Sequence, residues 1–350
     1  MLRLRALVVI VAVVGSLLAA AGAAEAHRVG RPTPVIYDSD MDFDDATTLA
    51  YLCEEHKQRR IELRAVTVAN NGMGLPGRAL RHARSVLEQC GLPRVPLADG
   101  STGAGVHPAP AEAAAQVETV LTDALGDGGR PAAPAGSTAP ELIRRTIALS
   151  PVKITMLTTG PLTNVAAALD GRPWLVPRIQ QIYVMGGAIH VPGNLFGSAL
   201  PGFDNSQEFN IWLDPASARS VLRTAPVRLI PLDATQFVPI TPDIVDRIAA
   251  DQHTPSARIV HRIISHPELT TLIGLGVMFW WDALAGLAAF RNDGDAITTF
   301  RPVRVDVVQT GAQSGRTAPT PTGSRLHAAF TADRTRFERT FLDALNGRAR

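Results

Sequence analysis

Residues 38–45 read Asp-Ser-Asp-Met-Asp-Phe-Asp-Asp, five carboxylates in eight positions, directly after the apolar run Pro34-Val35-Ile36-Tyr37. That run suits a buried strand, and it delivers the chain into a knot of negative charge. Carboxylates crowded at the end of a buried strand repel one another unless a hard cation neutralises them, and calcium and magnesium prefer such oxygen donors. A solvated acidic loop is the alternative for an arbitrary Asp-rich stretch. Against it stand the strand before the run and the helical pattern of Ala46, Leu49, Ala50 and Leu52 after it. Open α/β sheets bind ligands at the carboxyl ends of their strands. The pattern therefore predicts a metal site at a strand-to-helix junction.

The amino terminus sets the compartment. Arg3 and Arg5 precede an apolar run from Ala6 to about Ala21, and Ala24-Glu25-Ala26 follows as a small-x-small cleavage signature. Residues 1–26 read as a secretory signal, with the mature chain beginning near His27 and secreted or periplasmic. An uncleaved anchor is the competing reading, but the run is short for a membrane span and rich in alanine. No stable membrane anchor is expected. Residues 27–350 lie near the upper limit for one α/β domain and suffice for a large core.

Lys and Arg number 34 against 32 Asp and Glu, a formal charge of +2 that falls to +1 without Arg3, Arg5 and Glu25. That balance gives no electrostatic ground for binding nucleic acid, and a small neutral ligand fits it better. Cys53 and Cys90 are the two cysteines. Export permits a disulfide between them, while the apolar helical pattern around each equally suits two buried thiols.

Apolar runs of strand length at 35–37, 63–68, 154–157, 182–185, 227–230 and 303–308 alternate with helical patterns at 46–54, 78–90, 139–149, 164–169, 215–222 and 335–345. This alternation predicts an α/β fold with a mainly parallel, doubly wound, Rossmann-like sheet flanked by helices on both faces. Residues 101–138 and 311–325, rich in Ala, Gly, Pro, Ser and Thr, read as mobile surface segments within one domain.

Other strand ends carry short polar strings. Thr158-Thr159-Gly160-Pro161-Leu162-Thr163-Asn164 turns at Gly160-Pro161 and opens a helix. Val184-Met185-Gly186-Gly187 ends a strand with paired glycines, which allow close approach of a ligand to the backbone. Asn194, Glu208-Phe209-Asn210, Asp214-Pro215 and Trp280-Trp281-Asp282 follow. Taken singly, Asp214 and Asp282 suit helix N-caps and Asn164 a turn.

Together these strings resemble the inosine-uridine-preferring nucleoside hydrolase family, from about Pro34 to Leu345. Asp38-x-Asp40-x-x-x-Asp44-Asp45 matches that family's amino-terminal signature in spacing. Thr159-Gly160-Pro161-Leu162-Thr163-Asn164, Val184-Met185-Gly186-Gly187, Glu208-Phe209-Asn210, Pro231-Leu232-Asp233-Ala234-Thr235 and Trp281-Asp282 then follow in the family's order. The resemblance implies a nucleoside hydrolase fold and a calcium-dependent enzyme that cleaves the N-glycosidic bond of ribonucleosides. It also implies a calcium site of Asp40, Asp45, Asp282 and the Thr159 carbonyl, with the ribose diol and a water completing about six to eight oxygens. Asp40 would take a proton from that water, and Asp44 would bind a ribose hydroxyl. Asn194, Glu208 and Asn210 would hold the sugar with Met185 lining it, and Asn71 would join them. Bond breaking puts positive charge on the sugar ring, which uncharged or anionic neighbours tolerate. The expected partner is a small-molecule nucleoside, with the chain itself a homodimer or homotetramer.

On the nucleobase side the sequence departs from many members, which carry a histidine just before the last metal aspartate. Trp281 stands there, so histidine acid catalysis from that position is excluded. The Trp-Asp pair resembles the purine-preferring branch, where stacking raises the basicity of the leaving base. Ala98–His107, the segment that should supply a second wall, holds no Trp, Tyr or Phe. His107 is its one candidate, with a plain loop histidine as the alternative. Asn70 stands where the family usually has glycine.

Three rival readings remain. A haloacid-dehalogenase-type phosphatase also begins with Asp-x-Asp after a strand, but usually continues Gly-Thr and needs a later lysine. Here Met41-Asp42 follows, and the lysines are Lys57 and Lys153. An EF-hand loop wants glycine at its sixth position and glutamate at its twelfth, where Phe43 and Leu49 stand. The third is a catalytically silent nucleoside- or sugar-binding relative, against which the intact aspartate set argues.

Overall fold

The computed structural model describes residues 31–100, 107–126, 136–195, 202–292 and 296–348. The expected signal segment, 1–26, lies outside the described residues, as do residues 101–106 of the expected second wall. Among the described residues, no helix is long and apolar enough to cross a membrane.

The chain forms one nine-stranded sheet ordered β3-β2-β1-β4-β5-β6-β9-β7-β8. Its strands are β1 (Thr33–Ser39), β2 (Ile61–Val68), β3 (Leu97–Asp99), β4 (Ile154–Thr158), β5 (Ile179–Met185), β6 (Val227–Ile230), β7 (Thr298–Val307), β8 (Thr317–Pro319) and β9 (Ser324–Ala332). From β3 across to β9 the neighbours pair parallel, and β7 then pairs antiparallel with both β9 and β8. The mainly parallel, doubly wound sheet expected from the sequence is present. Its strand order runs outward in both directions from β1 and β4, so the topological switch lies between them. Such a switch opens a crevice at the carboxyl ends, and here those ends are Ser39 and Thr158.

Alternation along β1 sends Val35 and Tyr37 to one face and Ile36 to the other, each into its own apolar cluster. The Tyr37 face is covered by α1 (Phe43–Lys57), α2 (Arg78–Gln89) and α3 (Ala111–Leu125). The Ile36 face is covered by α4 (Ala139–Leu149), α5 (Thr163–Leu169) and, beyond the short α6 (Phe209–Leu213), α7 (Pro215–Thr224). After the single turn α8 (Leu232–Thr235), the Tyr37 face gains α9 (Pro242–Ala250), α10 (Pro255–Ile264), α11 (Pro267–Gly274), α12 (Trp281–Phe290) and α13 (Arg334–Leu345).

Two expectations need correction. Residues 101–138 are not simply a loose segment, because α3 occupies 111–125. Val117, Val120, Leu121 and Ala124 bury one helical stripe there, and composition had masked that period. Residues 311–325 hold a 3₁₀ turn and β8, an edge strand against β7. The helices α9, α10 and α11 are additional to the expected helical patterns, and Thr241-Pro242, Thr254-Pro255 and His266-Pro267 each place the N-cap residue before a proline at the first helical position. Cys53 and Cys90 are both buried free thiols, with Cys90 Sγ 3.4 Å from Ser256 Oγ.

A polar clamp ties α3 to α2. Arg78 and His82 on α2 both engage Glu118, the latter through Nε2 at 2.9 Å, and Arg78 Nη2 donates to Thr122 Oγ1 at 2.7 Å. Since Leu121 is 1% exposed, Leu121→Ala should cost about 2–5 kcal/mol of stability. Denaturant unfolding of the full chain would register this as a lower midpoint. An unchanged midpoint would mean that α3 is not part of the core.

Candidate active site

Strand β1 ends in a sharp local geometry. Met41 adopts φ 57°, a left-handed conformation that costs a non-glycine residue about 1–2 kcal/mol. Its fully buried side chain helps to hold it there. Asp42 then caps α1, accepting from the Phe43 amide at 2.5 Å, while Asp45 Oδ2 accepts from the Asp42 amide at 2.8 Å, a reciprocal capping box. The helix start thus fixes two members of the acidic run.

The carboxylates lie on the floor of a cavity of about 570 Å³. Oxygens of Asp44, Asp45 and Asp282 fall within 4.8 Å of one another, all three residues buried. Asp45 is held by three donors: the Tyr37 hydroxyl at 3.1 Å, the Thr159 hydroxyl at 2.5 Å and the Asp42 amide. Asp40 Oδ2 accepts from the Met73 amide at 2.7 Å. Around Asp40 the backbone approaches so closely that only glycine fits. A Cβ on Gly72 would stand 1.9 Å from Asp40 Oδ2, and one on Gly160 would stand 2.8 Å from Oδ1.

Burial pushes the Asp40, Asp44 and Asp282 carboxyls well above the ordinary range, and their mutual charges push further in the same direction. Asp45 rises to about 7, mainly through burial and the charge of Asp44, with the Thr159 hydroxyl opposing. Among the described residues, neither lysine nor arginine lines this cavity. An all-oxygen, buried and uncompensated donor set fits a hard divalent cation.

Thr159 also lines the cavity, and its carbonyl accepts from Asn210 Nδ2 at 3.1 Å. Met185 lies beside that amide, with its Sδ 3.4 Å away. Glu208 caps α6, accepting from the Asn210, Ile211 and Gly187 amides at 2.9, 3.0 and 2.9 Å. Asn194 Oδ1 accepts from the Phe209 amide at 2.8 Å. These groups bring the ends of β4 and β5 and the start of α6 to the same floor.

The structure therefore gathers Asp40, Asp44, Asp45, Thr159, Met185, Asn194, Glu208, Asn210, Trp281 and Asp282 around one cavity. Asn71 stands outside that lining, where its Nδ2 donates to Thr163 Oγ1 at 2.8 Å. His107 is also outside, stacked on Trp212 at 5.0 Å with Nε2 2.9 Å from Ser314 Oγ. Asp38 is a brace, accepting from Thr67 and Asn164 at 2.5 and 2.9 Å. Asp214 caps α7, as its position before proline suggested. Asp282 instead sits inside the first turn of α12 and faces the floor.

Tyr37, Gly72 and the aromatic lining of Phe43 and Phe209, which flanks the cavity together with Trp281, carry no local signal of function in the sequence. An aromatic at the end of a buried strand reads as core. The need for glycine at 72 depends on where Asp40 lies in space.

The profile of the inosine-uridine preferring nucleoside hydrolase family matches residues 35–339. A pyrimidine-specific ribonucleoside hydrolase, RihA, of Salmonella paratyphi B is 30% identical over 241 residues, 66% of this chain and 70% of that protein. The inosine-uridine preferring nucleoside hydrolase from Bacillus anthracis shares the fold with a TM-score of 0.76 at 23% identity, covering 90% of this chain and 99% of the other. A purine-preferring ribonucleoside hydrolase from Gardnerella vaginalis gives a TM-score of 0.71 at 23% identity, over 90% and 98% of the two chains.

Because an alanine at 72 must displace Asp40, Gly72→Ala should weaken any stabilisation by added calcium. Tyr37→Phe, which removes one donor to Asp45, should lower stability by only about 1 kcal/mol. Thermal unfolding with and without calcium distinguishes the two. A calcium-induced shift as large in Gly72→Ala as in the parent would contradict the close fit at Asp40.

Proposed function

The chain belongs to the inosine-uridine preferring nucleoside hydrolase family, and from that premise we propose calcium-dependent hydrolysis of purine ribonucleosides to ribose and free base, carried out in this cavity. Cleavage of the ribonucleoside N-glycosidic bond comes with the family. The ion, the base preference and the individual roles are the proposal. One observation carries it: a buried acidic floor lies in a cavity whose remaining lining is largely apolar and aromatic.

Asp40, Asp45, Asp282 and the Thr159 carbonyl would hold the ion, with Asp44 the neighbouring carboxylate that accepts a hydrogen bond from a ribose hydroxyl. Calcium tolerates irregular coordination better than magnesium, and Asp45 already accepts from Tyr37, Thr159 and Asp42. When bound, calcium would anchor the ribose diol and raise the acidity of the attacking water. Asp40 takes that water's proton. Met73 and the glycines beside Asp40 fix its carboxylate, so that the proton is accepted at a defined place. Glu208, Asn194 and Asn210 border the sugar with groups that are anionic or uncharged, which favours positive charge developing on the ring.

Trp281 offers the leaving base a flat face, with Phe43 also lining the cavity. An indole N–H is too weak an acid to protonate the base, so its contribution is contact area, and a purine presents more of that than a pyrimidine. A pyrimidine preference is the second reading, favoured by the substrate in the name of the Salmonella relative. Export completes the proposal: a chain processed near His27 would act on nucleosides outside the cytoplasm, which N-terminal sequencing of the secreted protein would test.

Chelation should abolish release of ribose from inosine, and calcium should restore it. Asp40→Asn should lower kcat by about 10²–10⁴-fold in a folded protein. Full turnover by metal-free protein would refute the calcium requirement, and an undiminished rate in Asp40→Asn would refute the base. Trp281→Ala should depress inosine turnover far more than turnover of nitrophenyl riboside, whose leaving group needs no protonation. Equal losses on both, or uridine outpacing inosine in the parent, would overturn the stacking role or the purine preference respectively.

A further inference from the structure

The cavity is chemically lopsided. Its carboxylates and the amides of Asn194 and Asn210 gather at the strand ends, and those two amides are already engaged with Phe209 and Thr159. Among the described residues, a second part of the lining is drawn from Ala113, Gln116 and Val117 on α3 and Leu272 on α11. Positions 113, 116 and 117 share one face of a helix, since residues three and four apart lie above one another. On this face Gln116 is the polar member. It is exposed, and no hydrogen bond engages its carboxamide among the described residues.

A nucleoside with its ribose on the acidic floor has its base within the rest of this lining, which includes the α3 face. A base edge carries donors and acceptors that lose water on entering, and each left unmatched weakens binding. A carboxamide holds a donor and an acceptor side by side, as does the N–H and C=O pair of hypoxanthine or uracil. Turned over, it matches the amino and ring-nitrogen pair of adenine or cytosine.

We propose that Gln116 is a specificity-determining residue that hydrogen-bonds the paired donor–acceptor edge of the nucleobase. The inference rests on the nucleoside hydrolase reading and deepens it. Trp281 contributes flat contact area without regard to edge groups, whereas Gln116 selects bases that carry them. The helix clamp of Arg78, His82 and Glu118 holds α3 against α2, so the carboxamide is presented from an anchored element.

The test compares inosine, uridine, purine riboside and nitrophenyl riboside in the calcium-loaded parent and in Gln116→Leu and Gln116→Ala. Purine riboside keeps the purine face but lacks the exocyclic oxygen and the adjacent N–H. The expected result is a loss of about tenfold in kcat/KM on inosine and uridine, with purine riboside and nitrophenyl riboside unchanged. A Gln116→Leu variant that loses all four substrates equally would show that the position shapes the cavity without reading the base, which overturns the proposal. No loss on inosine or uridine in either variant would overturn it too. A parent enzyme that releases no ribose from any of the four would instead refute the underlying reading. Gln116 is exposed, so both variants should unfold with the parent's midpoint, which separates these outcomes from misfolding.

Discussion

The repulsion among buried carboxylates at the end of β1 is the constraint around which the rest of the molecule is arranged. Asp40, Asp44, Asp45 and Asp282 come from one strand end and the first turns of two helices, α1 and α12. Held apart in water they would be unremarkable surface acids. Brought together and buried on the cavity floor, they oppose folding unless hydroxyls, amides and a cation share their charge. Tyr37, Thr159, Met73 and the capping box supply the protein's portion. The left-handed turn at Met41 is the backbone's portion, because it lets one short run serve both the floor and the start of a helix.

The sheet explains why this concentration occurs where it does. Strand order reverses direction between β1 and β4, so the connections leave on opposite sides and the two carboxyl ends stand uncovered. Asp40 follows one end and Thr159 the other. Residues from β5 and α6 close the third side through Glu208, whose carboxylate gathers three backbone amides. That carboxylate is therefore both a lining group and the cap that orients Asn210 toward the Thr159 carbonyl.

Much of this was legible in the sequence where chemistry and chain order coincide. The acidic run, the Thr159-Gly160-Pro161 turn and Trp281-Asp282 each announce themselves locally, and the structure draws them into one cavity. Asp38 shows the limit. It shares the run and the residue type, yet it accepts from Thr67 and Asn164, bracing β1 to β2 and α5, and lies outside the cavity lining. Gly72 and Tyr37 escaped notice because their importance comes from what packs against them. Helix α3 escaped because Ala, Pro and Gly suggested a loop, while its buried stripe shows only when the helical period is counted. Asn71, expected among the sugar-holding residues, donates its amide to Thr163 instead.

The clamp between α2 and α3 anchors one part of the cavity lining independently of the hydrogen bonds that hold the carboxylates. The floor belongs to the sheet and is welded to β1, β4 and β5, so a change there disturbs the whole architecture. The α3 part of the lining sits on a helix fastened by Arg78, His82, Glu118 and Thr122, with its own strip of apolar anchors. Residues on that wall can be exchanged without rebuilding the floor. On the proposed reading, substitutions in the wall alter the choice of leaving group while the carboxylate floor stays put.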